Sequence, residues 1–490
     1  MTFDTNQNPR DVVLKLLHQH GKAASAFQIL ESGYLFWFFE SAGVPSGVVA
    51  YRVCHGCAVV VGQPVCRDTD LNRCVAEFMA FLERSDLKLL MVGAESWALE
   101  MLNLPAHKLE AFKIGEQPEW NCQHYSLNAP TRRTLRAQVN RARNKGVEVR
   151  ALSGEGNTHL NPAQKLAIDH ILERWMERRP IAILKFMVSL EPLSNSSEKL
   201  YFLAEREGAP IGFLAAIPVF ERHGWFFEDV IRVPEAPNGT SELLIHEAMS
   251  FVQARGDEFV TLGLAPLAGV ADSAAEKDSD VKAVPRWVRW LKAGYDFDGL
   301  LRFKKRIGPD RWVTQYALKE VALPKQRALR ALVAAFVSTS LMAFLFDSAR
   351  RLLGQVSERV WASVCLLQCA VLVPWTLMLA VVDGQIWFGD SSIQVAWVVF
   401  NGFLTASLVA LSRLLVRRHP AAPRFSLFLA GTTLTDLILS TVQALMLHQS
   451  VAGWSALFVA LGLAGPALAT LLLTLTAVGS SRRLGQNKGR

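Results

Sequence analysis

Ionisable side chains that could carry out acid–base chemistry are concentrated in the stretch 225–267. Asp229 and Arg232 lie close together in a segment rich in aromatic and β-branched residues, and Glu242 follows after a turn. A carboxylate in this setting could act as a general base, and a nearby guanidinium could stabilise developing negative charge. Alternatively, Asp229 and Arg232 form an ordinary ion pair, and Glu242 complements the dipole of a helix. The residues alone leave both interpretations open.

The elements that would position these residues are a strand, a turn, a helix and a second strand. The composition of Trp225 to Val233 predicts a strand, the apolar periodicity of Ser241 to Ala254 predicts a helix, and Phe259 to Leu264 predicts another strand. The turn Asn238-Gly239-Thr240 places a residue without a Cβ atom where the helix begins, so the first free N–H groups could face a ligand. Units of this kind bind ligands where the strands end.

Several short motifs occur in an order that resembles the phosphatidylglycerol lysyltransferases, the multiple peptide resistance factor family. Asp229-x-x-Arg232 is followed by Ala236-Pro-Asn-Gly-Thr240, a predicted helix and Leu262-Gly-Leu-Ala-Pro-Leu-Ala-Gly269. The resemblance is to the synthase domain of that family and covers about residues 33–324. The supporting motifs are Tyr51-Arg-Val53, Ala58-Val-Val-Val-Gly62 with Pro64, Lys113-Ile-Gly-Glu116, Arg132-Arg-Thr-Leu-Arg136 with Asn140-Arg-Ala142, and Gly299-Leu-Leu-Arg-Phe-Lys304.

The resemblance implies an enzyme that transfers an aminoacyl group from an aminoacyl-tRNA to a membrane lipid, with no cofactor and no metal ion. It implies that Asp229, Arg232 and Lys304 are catalytic. Two other functions stay open: an acyltransferase of the same fold that uses another activated donor, and a non-catalytic membrane sensor that binds lipid or tRNA. The residues implied to bind substrate are Asn238, Gly239, Glu242, Gly263 and Arg302.

Two departures from related sequences limit what the resemblance implies. Lys305 stands where an acid is common in the lysyl enzymes, which leaves the identity of the transferred amino acid open. Coenzyme A-dependent enzymes of the acetyltransferase-like fold class hold the pyrophosphate of the coenzyme with a basic, glycine-rich loop. The corresponding segment, Arg232 to Gly239, contains an acid and two prolines instead. Coenzyme A is therefore not the expected donor.

The segment 131–146 is predicted to be a strongly basic helix. Its basic residues spread over several faces, so a single buried stripe does not account for them. This density suits contact with a phosphate backbone, and a solvated helix is the alternative. With the resemblance, the expected partner is tRNA, and the candidate tRNA-binding residues are Arg132, Arg133, Arg136 and Arg141.

Composition and cysteine content indicate a membrane protein in a reducing compartment. Of the 490 residues 51% are hydrophobic, and the formal net charge is +8, which suits an anionic partner but does not separate nucleic acid from lipid. The first residues lack an apolar core as long as that of an export signal. Cys54 and Cys57 flank a predicted hairpin turn, with Cys66 and Cys74 downstream. Packed thiols are expected there, and a zinc site is the alternative.

The order of predicted elements indicates an α/β fold with two acetyltransferase-like mixed sheets, followed by a C-terminal helical membrane domain. A reduced first copy is predicted for residues 1–128. A second copy, which carries the active site, is predicted for residues 129–324 and includes a mobile loop and a short tryptophan-rich helix between residues 270 and 293. Residues 325–359 are predicted to form an interfacial or re-entrant helix, and residues 360–490 a four-helix transmembrane domain.

Four apolar stretches are long enough to span a bilayer: Val360 to Val382, Ile393 to Val416, Phe425 to Leu447 and Trp454 to Val478. The loops 384–392 and 448–453 carry no lysine or arginine, whereas the loop with Arg417, Arg418 and Arg424 and the C-terminal tail are basic. This distribution predicts a multi-pass protein of a bacterial-type plasma membrane, with the catalytic domain and the C-terminus in the cytoplasm. Asp436 falls within a predicted span, where an acid is either functional or hydrogen-bonded to a neighbouring helix.

Overall fold

A computed structural model describes residues 8–152, 159–177, 191–269, 296–337, 353–354, 356–388, 390–447 and 454–488. These residues form two compact units. The first contains the described residues up to 337, and the second contains those from 353 onward. The loop and the tryptophan-rich helix predicted between residues 270 and 293 lie outside the described residues.

The first unit is built on a 13-stranded sheet in the order β1-β2-β3-β5-β13-β6-β11-β10-β9-β8-β7, with β4 paired to β2 and β12 paired to β6. The pairs β3–β5 and β10–β11 are parallel, and the other pairs are antiparallel. Each parallel pair is joined through a helix. The strands are β1 (Leu35–Ser41), β2 (Val44–Cys54), β3 (Cys57–Val61), β4 (Val65–Cys66), β5 (Lys88–Glu95), β6 (Leu109–Asn121), β7 (Val147–Ala151), β8 (Leu200–Arg206), β9 (Ala209–Val219), β10 (Gly224–Arg232), β11 (Phe259–Thr261), β12 (Ala265–Pro266) and β13 (Arg311–Glu320).

The two predicted acetyltransferase-like portions share one continuous sheet. Strand β6, which precedes the boundary predicted at residue 128, pairs with β11, and β13 from the end of the second portion lies between β5 and β6. The predicted fold class is confirmed, with the difference that the two expected sheets are joined edge to edge. Pairing between strands so far apart in the chain depends on tertiary packing, which a local pattern does not specify. The boundary itself stays a prediction.

Helices cover both faces of this sheet. The apolar face of helix α6 (Thr240–Ala254) buries five large apolar side chains and Ala248 against β8, β9 and β10, and each large apolar side chain buried in this way contributes about 1.5–3 kcal/mol. The predicted helix Ser241 to Ala254 therefore exists with nearly the expected bounds. The helices of this unit are α1 (Pro9–His20), α2 (Leu71–Arg84), α3 (Ser96–Met101), α4 (Arg133–Arg143), α5 (Pro162–Glu177), α6 (Thr240–Ala254), α7 (Phe297–Ile307) and α8 (Lys325–Val337).

A buried ion cluster ties the two portions of the sheet together. Glu119 of β6 is 2% exposed and accepts hydrogen bonds from Arg222 through Nη1 and Nη2, both at 2.8 Å. It also accepts a bond of 2.9 Å from Nε of Arg311. Burial alone would raise the pKa of Glu119, but the bonds and charges of Arg222 and Arg311 lower it below its ordinary value. Arg222 lies in the turn before β10, so this cluster fixes the point where β10 begins.

Helix α8 is the described part of the predicted interfacial segment. Its Ala331 and Ala335 are buried in the apolar core on one face of the sheet. Arg327 donates hydrogen bonds to the carbonyl oxygens of His55 (3.0 Å) and Gly56 (3.3 Å) in the turn between β2 and β3. Residues 325–337 therefore pack on the first unit. Most of the remaining segment lies outside the described residues, and its contact with a bilayer stays a prediction.

The second unit contains four helices that are long and apolar enough to cross a membrane, Glu358–Val381, Ser391–Val416, Ala422–Met446 and Val459–Ser481. Their number and approximate bounds confirm the prediction and fit a membrane protein. The helices α12 (Ala422–Leu447) and α13 (Trp454–Lys488) are joined near their centres by a hydrogen bond of 2.8 Å between the hydroxyls of Thr433 and Thr470, and Asp436 accepts a hydrogen bond from Ser440. The helices are α9 (Glu358–Val381), α10 (Gly384–Phe388), α11 (Ser391–Val416), α12 (Ala422–Leu447) and α13 (Trp454–Lys488).

Candidate active site

Strands β10 and β11 separate shortly after they begin, and the candidate site lies where they part. Their parallel pairing runs only from Gly224 opposite Phe259 to Phe226 opposite Thr261. Strand β11 then ends, whereas β10 continues along β9 as far as Arg232. Within the described sheet, the later part of β10 has no strand on the β11 side. A gap between two parallel strands is a usual place for a ligand in α/β proteins.

A β-bulge brings two carboxylates to this gap. Phe227 lies opposite Ala216 and Asp229 opposite Ala215, so Glu228 is the extra residue of β10. Because two residues of a bulge oppose one residue of the partner strand, the normal alternation of side chains is interrupted there. The bulge therefore turns both Glu228 and Asp229 toward the same group of neighbours.

The row of residues across the strands defines those neighbours. Asp229 lies opposite Ala215 of β9, and Ala215 lies opposite Tyr201 of β8. Residues opposite one another share a face of the sheet, and the small alanine leaves room between the two larger side chains. Lys199 precedes β8 by one residue, and its Nζ lies 3.8 Å from Oε2 of Glu228. Two acids, a lysine and a tyrosine thus meet on one buried face.

Asp229 is the acid of this cluster that has spare hydrogen-bonding capacity. Asp229 is only 6% exposed, and its Oδ2 atom has no hydrogen-bond partner. Burial and the neighbouring charge of Glu228 raise the pKa of Asp229 well above its ordinary value, and Lys199 partly offsets this rise. A buried acceptor without a partner is costly unless a proton or a ligand occupies it.

The residues that support Asp229 were not among the predicted site residues. Gln28, from the short 3₁₀-helix Ala26–Leu30, donates a hydrogen bond of 2.7 Å to Oε1 of Glu228. The hydroxyl of Tyr201 donates a hydrogen bond of 2.5 Å to the carbonyl oxygen of Pro192, and the same oxygen lies 3.5 Å from Nζ of Lys199. The adjacency of Glu228 to Asp229 was the only local signal for this cluster. Nothing in the sequence around Gln28 indicates a contact with β10.

Arg232 and Asn238 lie in the segment that follows β10. Arg232 donates from Nη1 to the carbonyl oxygen of Ala236 at 3.0 Å, which closes the turn, and Asn238 is exposed. No hydrogen bond or ion pair between described residues joins Asp229 to Arg232 or to Lys304. The structure therefore places these three predicted catalytic residues around the same strand ends without direct contact.

Gly239 and Glu242 connect α6 to the neighbouring helices. Gly239 has φ +98°, and a Cβ atom there would lie 2.1 Å from the carbonyl oxygen of Gln138 in α4. The glycine is thus required by its backbone conformation and by the approach of α4. Glu242 is 6% exposed and accepts a hydrogen bond of 3.1 Å from Arg306 of α7.

Lys304 holds the opposite side of the gap. It is 5% exposed, and its Nζ donates to the carbonyl oxygens of Leu262 (2.7 Å), Gly263 (2.8 Å) and Leu264 (2.8 Å) just beyond β11. Burial lowers the pKa of Lys304 to about 7. Gly263 has φ +69°, and a Cβ atom there would lie 2.5 Å from the ring of Phe226. Arg302, on the same helix as Lys304, is exposed.

The four candidate tRNA-binding arginines differ in accessibility. Arg132 is 4% exposed, bonds to the carbonyl oxygens of Gly308 and Ser126, and pairs with Asp310 at 2.9 Å. These contacts leave it no exposed donor for a phosphate. The guanidinium of Arg136 is partly buried and bonded to a backbone carbonyl oxygen. Arg133 and Arg141 are exposed.

The cysteines form no cross-link, and the two in the hairpin of β2 and β3 lie opposite each other. Cys54 lies opposite Cys57, and all seven cysteines are free thiols. Burial raises the pKa of both Cys54 and Cys57, so neither thiol is activated. Among the described residues, no group of three or more His, Cys, Asp or Glu side chains could hold a metal ion.

Comparison with known proteins decides the family. The family described as phosphatidylglycerol lysyltransferase, C-terminal, matches residues 14–319. The chain belongs to this family. The match contains the whole of the separated strand pair, the bulge and Lys304, together with Gln28.

The curated proteins that the chain resembles are considerably longer than the matched region. The chain is 24% identical over 307 residues to the lysylphosphatidylglycerol biosynthesis bifunctional protein of Mycobacterium sp. (strain JLS). The aligned region covers 57% of this chain and 26% of that relative. The chain is 23% identical over 308 residues to an uncharacterised protein of Corynebacterium glutamicum, covering 60% of this chain and 37% of the relative. The chain thus spans about a quarter to a third of the length of these curated relatives.

Two solved structures share the fold of the first unit. The structure of L-PGS from Bacillus licheniformis matches with a TM-score of 0.55 at 17% identity and covers 67% of this chain and 97% of its own. A C-terminal domain (DUF2156) from Agrobacterium fabrum matches with a TM-score of 0.55 at 17% identity. The match covers 66% of this chain and 95% of that domain. At this identity the likeness concerns the fold.

Proposed function

We propose that this protein transfers an aminoacyl group from the ester of an aminoacyl-tRNA to a hydroxyl group of a membrane lipid such as phosphatidylglycerol. The observation that carries the proposal is Asp229, a buried carboxylate with an unpartnered oxygen where β10 and β11 part. It is supported by family membership, by relatives named for lysylphosphatidylglycerol biosynthesis, and by four membrane-capable helices in the same chain.

The reaction needs positioning and proton transfer more than activation. The lipid hydroxyl oxygen attacks the carbonyl carbon of the aminoacyl ester, its proton passes to a base, and a tetrahedral oxyanion forms. The bond from that carbon to the ribose oxygen then breaks, and the ribose oxygen takes up a proton. The products are an aminoacyl lipid ester and free tRNA. Because the ester is already activated, orientation and charge stabilisation supply most of the acceleration.

Asp229 is proposed as the proton acceptor, or as the group that holds the α-ammonium of the donor. A carboxylate whose pKa is raised by burial is a stronger base than an exposed one and therefore a more effective proton acceptor. In either role, the unpartnered Oδ2 atom would be the point of contact. Exposed Asn238 is proposed to orient the ester, and Glu242 to contribute to recognition of the donor amino group.

Arg232 and Lys304 are proposed to shape the site, since Nη1 of Arg232 and Nζ of Lys304 donate to backbone carbonyl oxygens. Arg232 holds the turn that leads to α6, and Lys304 holds the residues that follow β11. Gly263 is proposed to let this segment pass close to Phe226, and Gly239 to let α6 begin against α4. Exposed Arg302, on the helix of Lys304, remains a candidate contact for substrate phosphate.

The proposed RNA contact is the exposed part of α4. Arg133 and Arg141 are available there, whereas Arg132 is occupied within the fold and is left out of the proposed set. Contacts of this kind neutralise phosphates and weaken as salt concentration rises. For an RNA donor the first unit has to face the cytoplasm, which agrees with the orientation predicted from the basic loops of the membrane domain.

The test uses membranes that contain the full chain. Charged tRNAs carrying one radiolabelled amino acid at a time are added, and label is measured in the extracted lipid with and without ribonuclease. We expect ribonuclease-sensitive label in lipid with at least one amino acid, reduced by about 10²-fold or more in Asp229→Asn. The control Glu235→Gln changes an exposed acid paired with Arg174 and is expected to keep activity.

Three results would contradict the proposal in different ways. Label that appears in lipid but resists ribonuclease treatment would indicate another activated donor. Absence of label with every amino acid, together with an unchanged lipid composition in a deletion strain, would indicate a non-catalytic protein. Full activity of Asp229→Asn would exclude Asp229 from the mechanism.

A further inference from the structure

The cluster around Asp229 contains more charged groups than the transfer reaction requires. Glu228 and Lys199 share its buried face, and Gln28 lies behind Glu228. Each buried charge is costly, and apolar side chains of similar size would pack at least as well. We propose that Glu228 and Lys199 are positioning residues that set how tightly Asp229 holds its proton. This inference rests on the function proposed above.

The geometry fixes the two charges beside Asp229. The bulge in β10 directs Glu228 to the side of the sheet that carries Asp229. Without a bulge, the side chains of these consecutive residues would point to opposite sides. Gln28 donates to one carboxylate oxygen of Glu228 at 2.7 Å, and Lys199 lies 3.8 Å from the other. Glu228 is therefore held on both oxygens, whereas Oδ2 of Asp229 has no hydrogen-bond partner and no described cation forms an ion pair with Asp229.

Few other groups face Asp229 among the described residues. Tyr201 lies in the same row across Ala215, and its phenol is bonded to the carbonyl oxygen of Pro192. Helix α5 packs against β9 and β10 with the apolar side chains of Ile168, Ile171 and Leu172. Within the described part of the chain, the charged neighbours that act on Asp229 are therefore one anion, Glu228, and one cation, Lys199.

One anion and one cation predict shifts of opposite sign. Replacing Glu228 by glutamine removes a negative neighbour, so Asp229 loses its proton at lower pH. Replacing Lys199 by glutamine removes a positive neighbour, so Asp229 loses its proton at higher pH. For charges about 4–6 Å apart in a partly screened interior, each shift is about one to two pH units. A residue with a purely structural role would not move the midpoint in a direction set by its charge.

The experiment measures transfer to lipid against pH for the full chain in membranes. The limb of the profile that depends on Asp229 is expected to move to lower pH in Glu228→Gln and to higher pH in Lys199→Gln. The double variant is expected to return close to the wild-type midpoint. As a control, Glu205→Gln changes an exposed acid of β8 paired with Arg150, and its profile is expected to coincide with that of the wild type.

A second measurement needs neither tRNA nor lipid turnover. Because the folded pKa of Asp229 is raised above 3.8, the folded state binds more protons there than the unfolded state. Its contribution to stability is therefore largest at low pH and falls as pH rises toward the folded pKa. As pH rises from 3.8 to the folded pKa of Asp229, the unfolding free energy of the wild type should fall relative to that of Asp229→Asn. When Glu228→Gln is also present in both proteins, this fall should end at a lower pH.

The two measurements separate this inference from the proposed function. Shifts in the stability profile without any lipid product would support the role of Glu228 and Lys199 while refuting the transfer reaction. Midpoints that stay unchanged, or that move in the same direction in both single variants, would overturn the inference even if the protein is an active transferase. If Lys199→Gln does not fold, the Glu228→Gln shift decides the question.

Discussion

Replacement of Gly239 by alanine should destabilise the first unit through the contact between α4 and α6. The residue has φ +98°, and a left-handed conformation costs a residue with a Cβ atom about 1–2 kcal/mol. The new methyl group would also lie 2.1 Å from the carbonyl oxygen of Gln138, which is backbone of α4. Forcing an extra carbon into packed structure costs about 1–3 kcal/mol. The expected loss of unfolding free energy is therefore about 2–5 kcal/mol.

Gly256 provides a matched control close to the other end of α6. It has φ +86°, but a Cβ atom there would meet nothing within 4 Å. Gly256→Ala should therefore cost only the conformational part, about 1–2 kcal/mol. Both variants are measured by urea unfolding of the full chain in detergent, followed by tryptophan fluorescence, with the midpoint shift converted through the m value. Equal losses in the two variants would refute the close approach of α4 to Gly239.

Three further predictions concern buried and exposed charges. Glu119→Gln removes the buried carboxylate charge that pairs with Arg222 and Arg311 and should cost about 3–5 kcal/mol near neutral pH. Since the folded pKa of Glu119 is lowered, wild type and variant should converge as pH falls below 4.5, which unfolding at two pH values tests. Lys304 has a folded pKa of about 7 against 10.5 when exposed, so the folded state binds fewer protons between these values. Wild type should gain about 2–3 kcal/mol relative to Lys304→Met between pH 7 and 9 in urea titrations, and parallel profiles would contradict this. Arg133→Gln should weaken tRNA binding and reduce its salt dependence by about one counterion, whereas an unchanged salt slope in filter-binding assays would remove Arg133 from the RNA surface.

The local elements of the site were predictable because they depend on short-range patterns. The strand predicted at Trp225 to Val233 is β10 (Gly224–Arg232), and the helix predicted at Ser241 to Ala254 is α6. Alternation of apolar residues, a helical period and a glycine at a turn each act within a few residues. The same reasoning located the four membrane-capable helices, since a long apolar run is itself a local property.

The availability of individual side chains was not predictable in this way. Arg132 and Arg133 are neighbours in a basic segment, yet one is buried against Gly308 and Asp310 while the other is exposed. The resemblance implies that Lys304 is catalytic, but no motif indicates that its Nζ is buried and bonded to carbonyl oxygens beyond β11. A charged residue is recognised from sequence by its type, but its partners are chosen by whatever the fold brings to it.

The amino-acid sequence by itself determined the α/β class, the order of strands and helices, the family and the membrane helices, because these follow from periodicity, composition and motif order. Only the tertiary structure decided that both portions form one sheet and that Gln28 reaches Glu228 across the chain. It also decided that a bulge sets Glu228 beside Asp229 at a buried gap. The physical reason is that strand register, burial and the resulting charge balance are set by contacts between residues far apart in sequence, and no local pattern encodes those contacts.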